Sequence, residues 1–514
     1  MKHASHTTLP LVAPTRAASP GMVAGVIMGV AILLVPVLTL AVAAGTLVLQ
    51  AILIAICNLT SARRGDAPAR DHRAAARAPA PWLSIHIAAR NEPPEVLIAT
   101  LESLREQVRA PDHEVIVVIN NTPSPKHWHP IADWCRPAGP RFRFLRRDNV
   151  FGAKAGALEI ALQHTAAATS HIVVLDADYR VVPEFLSLIG QELNATGADF
   201  LQFPQAYRHM SARTAGLSFE LAEYFNRHAR AANLADAMLP TGTLSVIRRD
   251  ALKAVGGWPT RSCTEDAELG TALIAAGYRG VFVDRVVGRG LMPLDLRNLH
   301  RQRARWAAGN ARVLVEALRR WLPGGRDAGA GPLQRLLVVA QLATWLNLGA
   351  IAVVTLILGV GQAAIGGWTG QGAALADATI LLSAATMALI LLATVYPMLS
   401  ATLPRVPVAV RLQALASRLS MLPIAACATI DGVRRKRQKF LITAKTRPGG
   451  ATARIDGPLF LTASLGVALI SVAVMSGGPV VALAGGLLLL PPLGGLAIRG
   501  PLSRYAADVS AGEA

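Results

Sequence analysis

Four short apolar runs set the predicted architecture of the chain: LSIHIA (83–88), HEVIVVI (113–119), HIVVLDAD (171–178) and ADFLQF (198–203). Helical patterns such as PEVLIATLESLREQV (94–108) lie between them. Short apolar runs that alternate with helices are typical of buried parallel strands joined by helical crossovers. The sequence therefore predicts a mixed α/β domain from Pro81 to about Leu322, with ligands bound at the carboxyl ends of the strands.

Composition places this domain in a membrane protein. The 514 residues are 52% hydrophobic and only 16% charged, which is too apolar for an ordinary soluble enzyme. The net charge is +19, and many basic residues lie beside apolar segments, as at Arg63, Arg64, Arg434–Lys439 and Arg499. Basic residues in such places mark the cytoplasmic ends of membrane helices, so we expect a lipid bilayer and no nucleic acid as a partner.

Long apolar segments flank the domain on both sides. The segment Gly21–Cys57 is long enough for two crossings that turn at Pro36, and a single crossing stays open. Four more segments follow the domain, at 336–361, 374–400, 458–476 and 479–497. The stretch 404–430 is interrupted by arginines and followed by RRKRQKF, so we predict that it lies along the membrane surface. The expected total is six spanning helices.

These segments give the predicted organisation of the chain. It comprises a cytoplasmic tail (1–20), a transmembrane hairpin (21–58), a linker (59–80), the α/β domain (81–330), two transmembrane helices (331–403), an interfacial helix with the loop after it (404–456), two more transmembrane helices (457–498) and a second cytoplasmic tail (499–514). An even number of spans keeps the α/β domain, the basic loop and both tails on the cytoplasmic side.

Two carboxylates, Asp176 and Asp178, follow the apolar run HIVV where the chain leaves the predicted sheet. They supply the hard oxygen ligands that Mg²⁺ or Mn²⁺ prefers, and such an ion would neutralise a diphosphate leaving group. Two aspartates in a solvated turn would give the same pattern. This motif by itself therefore leaves both interpretations open.

The motif TED (264–266) opens a helical pattern that stops at Gly277. Acidic residues are common in a first helical turn because they complement the helix dipole. The functional interpretation makes Asp266 a general base that removes a proton from an acceptor hydroxyl. An unperturbed aspartate is a weak base, so this role requires a supporting environment.

The motif QRARW (302–306) combines an amide, a cation and an indole. In a helix, Gln302, Arg305 and Trp306 lie on the same face. Arg305 would hold a diphosphate and Trp306 would stack on a sugar ring. The alternative is an interfacial helix in which arginine and tryptophan anchor the membrane surface, and Arg301 and Arg303 are expected to do only that.

The order of DAD, TED and QRARW between membrane helices resembles the processive family 2 glycosyltransferases, which include bacterial cellulose, curdlan and hyaluronan synthases. The resemblance covers about residues 82–450. Further matching segments are AARNEPPEV (88–96), FGAKAGALE (151–159), PTGTLSVIRRDAL (240–252) and FLITAK (440–445), the last being similar to the gating loop of cellulose synthases. QAYR (205–208) and GRGLMP (288–293) look closer to β-glucan synthases of the β-1,3 type.

The resemblance implies a cytoplasmic GT-A (Rossmann-like) domain inserted between transmembrane helices, a UDP-sugar donor and an inverting reaction. It implies that Asp178 binds Mg²⁺ or Mn²⁺ with Asp176 beside it, and that Asp266 is the base. The remaining implied site residues are Asn120, Lys154, Glu265, Gln302, Arg305 and Trp306 for donor and acceptor, and Phe440, Thr443 and Lys445 in the gating-like loop.

One position departs from the family pattern. Family members usually carry an aspartate after the second strand that contacts uracil, whereas this chain has Ile119, Asn120 and Asn121 there. Asn120 can still hydrogen-bond a base edge, although it lacks the carboxylate. The identity of the sugar donor is therefore less secure than the reaction class.

The sequence predicts an enzyme of the bacterial inner membrane that polymerises a UDP-hexose, with UDP-glucose favoured, into a β-glucan and translocates it. A growing polysaccharide would be the acceptor, and an accessory export subunit is a possible partner. The alternatives are transfer to a lipid acceptor and an inactive homologue that serves transport or assembly. The retained carboxylates, Arg305 and Trp306 argue against an inactive homologue.

Overall fold

The computed structural model describes residues 80–260, 264–321, 330–345, 406–434, 456–476 and 479–512, with the isolated residues Ala55, Leu381, Ala385, Ala388 and Val395. Nearly all of the predicted hairpin (21–58), most of the predicted pair of spans (331–403) and the gating-like residues Phe440, Thr443 and Lys445 lie outside the described residues. The expected total of six spanning helices therefore stays a prediction.

The elements alternate as the sequence predicts. The strands are β1 (Leu83–Ala89), β2 (His113–Asn120), β3 (Phe142–Arg147), β4 (His171–Val174), β5 (Arg180–Val181), β6 (Phe200–Gln202), β7 (Ser245–Arg248), β8 (Gly280–Phe282) and β9 (Gly288–Arg289). The helices of the domain are α1 (Pro94–Arg105), α2 (His129–Cys135), α3 (Ala153–Gln163), α4 (Phe185–Thr196), α5 (Ala215–Tyr224), α6 (Arg249–Ala254), α7 (Glu265–Ala275) and α8 (Leu296–Trp321). They are followed by α9 (Pro332–Leu342), α10 (Val408–Val433), α11 (Gly457–Ser476) and α12 (Pro479–Gly512).

Within the described residues, the main sheet has seven strands in the order β3-β2-β1-β4-β7-β6-β8. The four apolar runs form β1, β2, β4 and β6, and β1 pairs in parallel with both β2 and β4. Helices cover the sheet, and apolar residues of the strands are fully buried. The predicted mixed α/β architecture is confirmed for this domain.

The sheet is not entirely parallel, contrary to expectation, because β7, which the sequence did not predict, is antiparallel to both β4 and β6. The buried side chain of Gln202, at the end of β6, fixes the segment that leads into β7. Its amide donates to the Thr243 carbonyl (2.9 Å) and accepts from the Thr241 N–H (2.9 Å) and the Ser245 hydroxyl (2.6 Å). The start of β7 is thereby held against the end of β6, so the two strands run in opposite directions.

Three helices of the described residues, α10, α11 and most of α12, are long and apolar enough to cross a membrane. Helices α11 and α12 correspond to the last two predicted spans. Helix α10 covers the stretch predicted to lie along the membrane surface, and it packs against α5, α8 and α12. Its placement relative to the bilayer stays a prediction.

Helix α12 continues without a break from the predicted pair of spans (457–498) through the predicted cytoplasmic tail (499–514) as far as Gly512. Ile498, Leu502, Tyr505 and Val509 are at most 2% exposed and belong to the apolar core of the α/β domain. These positions are spaced by three or four residues, so they lie on the same helical face. The predicted tail is therefore the docked end of a helix.

Candidate active site

A cleft lies where β1, β2 and β4 end, and the predicted chemical residues meet in it. Its lining includes Asn120, Lys154, Asp176, Asp178, Glu265, Asp266, Gln302, Arg305 and Trp306. These residues come from five separate segments of the chain, so the fold brings together all of the predicted donor, acceptor, metal and base residues. Several residues that sequence reasoning did not assign also line the cleft, among them Arg90, Glu92, Gln205, Tyr207 and Thr241.

The two aspartates after β4 differ in their surroundings. The Asp176 side chain is 37% exposed and its carboxylate forms an ion pair with Lys154. Asp178 is 4% exposed, and its Oδ2 accepts a hydrogen bond of 3.0 Å from the backbone N–H of Leu291. Asp178 is therefore held in a fixed orientation, whereas Asp176 faces the open cleft.

The donor set fits a hard divalent cation that also takes oxygens from a ligand. No group of three or more His, Cys, Asp or Glu side chains that could hold a metal occurs among the described residues. A Mg²⁺ ion is typically bound through one or two carboxylates, with phosphate oxygens and water completing its coordination. Asp176 and Asp178 are suited to that arrangement and not to a cage built from protein ligands only.

Lys154 lies in the first turn of α3, directly after two residues with left-handed backbone, Gly152 (φ 84°) and Ala153 (φ 52°). Its ammonium donates to Asp176 and to the Gly242 carbonyl (2.6 Å). Burial by itself would lower the pKa of Lys154, but the charges of Asp176 and Glu265 outweigh burial and raise it. A fixed positive charge therefore stands in the cleft.

The TED motif begins α7 as predicted, with Thr264 preceding the first turn. Burial, followed by the charge of Asp266, raises the pKa of Glu265 to about 7. Burial also raises the pKa of Asp266, and the charge of Asp176 adds to that shift. A carboxylate with a raised pKa is a stronger base, so the structure contains the supporting environment that the sequence left open.

Close packing fixes both ends of this motif. A Cβ atom at Gly309 of α8 would lie 2.3 Å from the Thr264 side chain, so α7 approaches α8 closely only because residue 309 is glycine. Gly242 has φ +84°, and a Cβ there would lie 3.0 Å from Asp266 Oδ2. Gly309 therefore leaves room for the Thr264 side chain, and Gly242 leaves room for the Asp266 carboxyl group.

The QRARW motif lies within α8, and Gln302, Arg305 and Trp306 face the cleft as their spacing predicts. Gln302 Oε1 is buried and has no hydrogen-bond partner among the described residues. A buried amide oxygen without a donor is costly, so a ligand hydroxyl or N–H is a fitting partner for it. The Trp306 ring lies 6.3 Å from that of Trp345.

Arg303 is not a membrane anchor, and the prediction for it is wrong. It is 1% exposed, and it donates to Glu220 Oε2 (2.8 Å) while its guanidinium lies 4.4 Å from the centre of the Trp306 ring. Arg418 of α10 donates to the other oxygen of Glu220 (3.1 Å). Glu220, Arg303 and Arg418 thus form a buried charge cluster that joins α5, α8 and α10 beneath Trp306.

At the end of β2, alternate residues face opposite ways. Ile119 is 2% exposed and packs in the apolar core, whereas Asn120 lines the cleft. The amide of Asn120 donates to the Ala153 carbonyl (3.1 Å), which fixes its orientation. Its Oδ1 is buried without a hydrogen-bond donor among the described residues, so an acceptor is presented to the cleft.

Comparison with known proteins points to the family that the sequence motifs resemble. Residues 84–256 match the model for glycosyl transferase family 2, and residues 171–404 match the model for glycosyl transferase family group 2. The solved mannosyltransferase PcManGT from Pyrobaculum calidifontis, in complex with GDP-Man and Mn²⁺, superposes with a TM-score of 0.51 at 19% identity. It covers 78% of this chain and 100% of its own, which supports a GT-A-like fold.

Two curated relatives are similar over about a third of the chain. Glucomannan 4-beta-mannosyltransferase 7 of Arabidopsis thaliana is 28% identical over 183 residues, which cover 34% of this chain and 33% of the relative. The cellulose synthase catalytic subunit (UDP-forming) of Pseudomonas fluorescens (strain SBW25) is 31% identical over 188 residues, which cover 35% of this chain and 25% of the relative. Each match therefore spans a third or less of the relative's length.

The two family models overlap and together span residues 84–404, a region that contains every residue of the cleft. Because family, fold and the chemistry of the cleft agree, residues 84–404 are identified as the glycosyltransferase family 2 region of a transferase.

Proposed function

We propose that the protein is an inverting membrane glycosyltransferase that polymerises UDP-glucose into a β-linked glucan and translocates it across the bacterial inner membrane. The observation that carries this proposal is the meeting of Asp266, Asp178 and Trp306 in the same cleft. These residues offer a base, a cation ligand and an aromatic surface for a sugar ring. The catalytic domain would face the cytoplasm, where nucleotide sugars are made.

The proposed reaction begins with a proton transfer. Asp266 removes the proton of an acceptor hydroxyl as its oxygen attacks the anomeric carbon of the donor. The bond from that carbon to the diphosphate breaks on the opposite face, so the configuration inverts. The raised pKa of Asp266 favours its role as the base.

Positive groups in the cleft would receive the leaving diphosphate. Asp176 and Asp178 would hold Mg²⁺ or Mn²⁺, which offsets negative charge on the phosphates when bound. Arg305 projects into the cleft from α8, and Lys154 adds a second cation. Asp176 also holds Lys154 in place, so the two residues are positioned together.

Asn120 supports a uridine nucleotide. Its amide group is held by Ala153, so Oδ1 is left as the acceptor that faces the cleft. Uracil presents a lone N3–H between two carbonyls, which matches one acceptor. Guanine presents two adjacent N–H donors, which an aspartate would match better than this asparagine.

A mannosyl donor is the second candidate, because one of the similar relatives is named as a glucomannan mannosyltransferase. A lipid acceptor in place of a growing glucan is a further alternative. The candidate membrane helices α10, α11 and α12 fit either a channel for a polymer or access for a lipid. An accessory export subunit stays a possible partner, and an inactive homologue is disfavoured by the complete set of chemical groups in the cleft.

A donor panel tests the proposal. The full chain, purified in detergent, is supplied with radiolabelled UDP-glucose, UDP-galactose, UDP-N-acetylglucosamine or GDP-mannose, each with Mg²⁺ or Mn²⁺. We expect incorporation from UDP-glucose that stops when the cation is chelated. Incorporation from GDP-mannose but not from UDP-glucose would show that the proposed donor is wrong. If well-folded protein transferred sugar from none of the donors, the proposed enzymatic function would be contradicted.

A further inference from the structure

The docked end of α12 contacts the segment that orients Asp178, the proposed cation ligand. Tyr505, fully buried near the end of this helix, accepts a hydrogen bond from the backbone N–H of Met292 at 2.8 Å. The residue before Met292 is Leu291, whose N–H donates to Asp178 Oδ2 at 3.0 Å. A tyrosine from the C-terminal helix is therefore one peptide unit away from the hydrogen bond that orients Asp178.

The segment around Leu291 is held on both sides. Gly290 exchanges hydrogen bonds with the strand-like segment opposite: its N–H donates to the Ala206 carbonyl, and its carbonyl accepts from the Arg208 N–H, both at 2.9 Å. Met292 is held by Tyr505. Leu291 lies between these two attachments, so the direction of its N–H depends on both of them.

We propose that Tyr505 is a positioning residue for Asp178, which makes the end of α12 a component of the donor cation site. This inference rests on the proposed role of Asp178 as a cation ligand. Loss of the tyrosine hydroxyl leaves the Met292 N–H buried without an acceptor, and such groups shift to find water or another partner. Movement of Met292 turns the adjacent Leu291 N–H and releases the Asp178 carboxylate.

The test measures cation binding without turnover. Full-length protein in detergent is titrated with Mn²⁺ in the presence of UDP, and free Mn²⁺ is followed by electron paramagnetic resonance. For Tyr505→Phe we expect about tenfold weaker Mn²⁺ binding, because residues that orient a metal ligand commonly contribute that much to affinity. Tyr278→Phe, which changes a tyrosine outside the cleft, should bind Mn²⁺ as the unchanged protein does.

The outcomes separate this inference from the proposed function. If the unchanged protein binds Mn²⁺, Asp178→Asn loses it and Tyr505→Phe binds normally, the positioning role is wrong while the cation site stands. If the unchanged protein and Asp178→Asn bind Mn²⁺ equally weakly, the cation site itself is wrong and the inference falls with it.

A reciprocal measurement does not depend on the folding of a variant. Coupling between two sites acts in both directions, so Mn²⁺ with UDP should stabilise the docked end of α12 if Tyr505 orients Asp178. Hydrogen exchange of the peptide that covers residues 500–512 should slow by several-fold when both are added. Exchange that slows at α7 but is unchanged in this peptide would overturn the proposal.

Discussion

The cleft and the charge cluster of Glu220, Arg303 and Arg418 contain similar side chains but have different roles. In the cleft, the carboxyl groups of Asp176 and Asp266 face a space that a ligand can fill. In the cluster, Glu220 is surrounded by protein and both of its oxygens are paired with arginines. Charged residues of the cleft are thus available for chemistry, whereas those of the cluster are committed to holding helices together.

This difference has an energetic basis. Buried charges are expensive to desolvate, and loss of one partner leaves the others uncompensated. Asp176 in the cleft keeps contact with solvent, so its replacement leaves less buried charge uncompensated. Substitution of Asp176 or Asp266 should therefore change activity more than stability, and substitutions in the cluster should change stability first.

The largest expected effect is that of Asp266→Asn on turnover. Removal of a general base typically lowers the rate by a factor of about 10²–10⁴. Binding of UDP with Mn²⁺, measured by calorimetry, should stay within a few-fold of the unchanged protein. Glu268→Gln, in the same helix and outside the cleft, is the matched control and should retain its rate; normal turnover of Asp266→Asn would refute the base assignment.

The next effect concerns stability. Glu220→Gln should lower the free energy of unfolding by about 3–5 kcal/mol, because two arginines are left in a buried site without a countercharge. Asp148→Asn breaks an exposed pair with Arg146 (2.6 Å) and should cost at most about 1 kcal/mol. Thermal unfolding in detergent compares the two variants. Equal losses of stability would show that the buried cluster contributes no more than an exposed ion pair.

A smaller effect is expected for the nucleotide. Asn120→Ala should weaken UDP binding about tenfold, the loss of roughly one buried hydrogen bond of about 1.4 kcal/mol. GDP binding, if any, should change less, because guanine does not match the acceptor that Asn120 presents. Competition of UDP and GDP against a labelled nucleotide measures both, and an unchanged UDP affinity would remove Asn120 from the nucleotide site.

The last effect is a dependence of stability on pH. The pKa of Glu265 is about 7 in the folded protein and has an ordinary value of 4.5, so the folded state binds more protons between these values. The free energy of unfolding contributed by this group therefore falls as pH rises from about 4.5 to 7. Glu265→Gln should flatten that slope in melting temperatures measured at pH 5 and 8, and an unchanged slope would contradict the burial of this carboxyl.

Several features of the fold and of the cleft follow from sequence patterns because each pattern has a local cause. Continuous apolar runs predict β1, β2, β4 and β6, and the acidic start of α7 follows helix capping preferences. The edge strand β3 was missed because FRFLRR alternates with basic side chains that stay half-buried. Strands β7 and β8 were not among the predicted strands.

Other features depend on contacts between distant segments. Nothing near Arg303 in the sequence indicates that Glu220, 83 residues earlier, would bury it. The docking of Tyr505 on Met292 joins residues 213 positions apart. The helical spacing of Ile498, Leu502, Tyr505 and Val509 was the available signal, since large apolar side chains on one face of a helix need a covering surface.

The most direct test of β-glucan synthesis is to identify the product that receives the transferred sugar. Purified protein is incubated with radiolabelled UDP-glucose and the required cation, and the label is divided among a lipid extract, a soluble fraction and high-molecular-mass material. We predict that the label enters high-molecular-mass material and is released by a linkage-specific β-glucanase. Label confined to the lipid extract, or polymer that resists every β-glucanase, would contradict synthesis of a β-glucan.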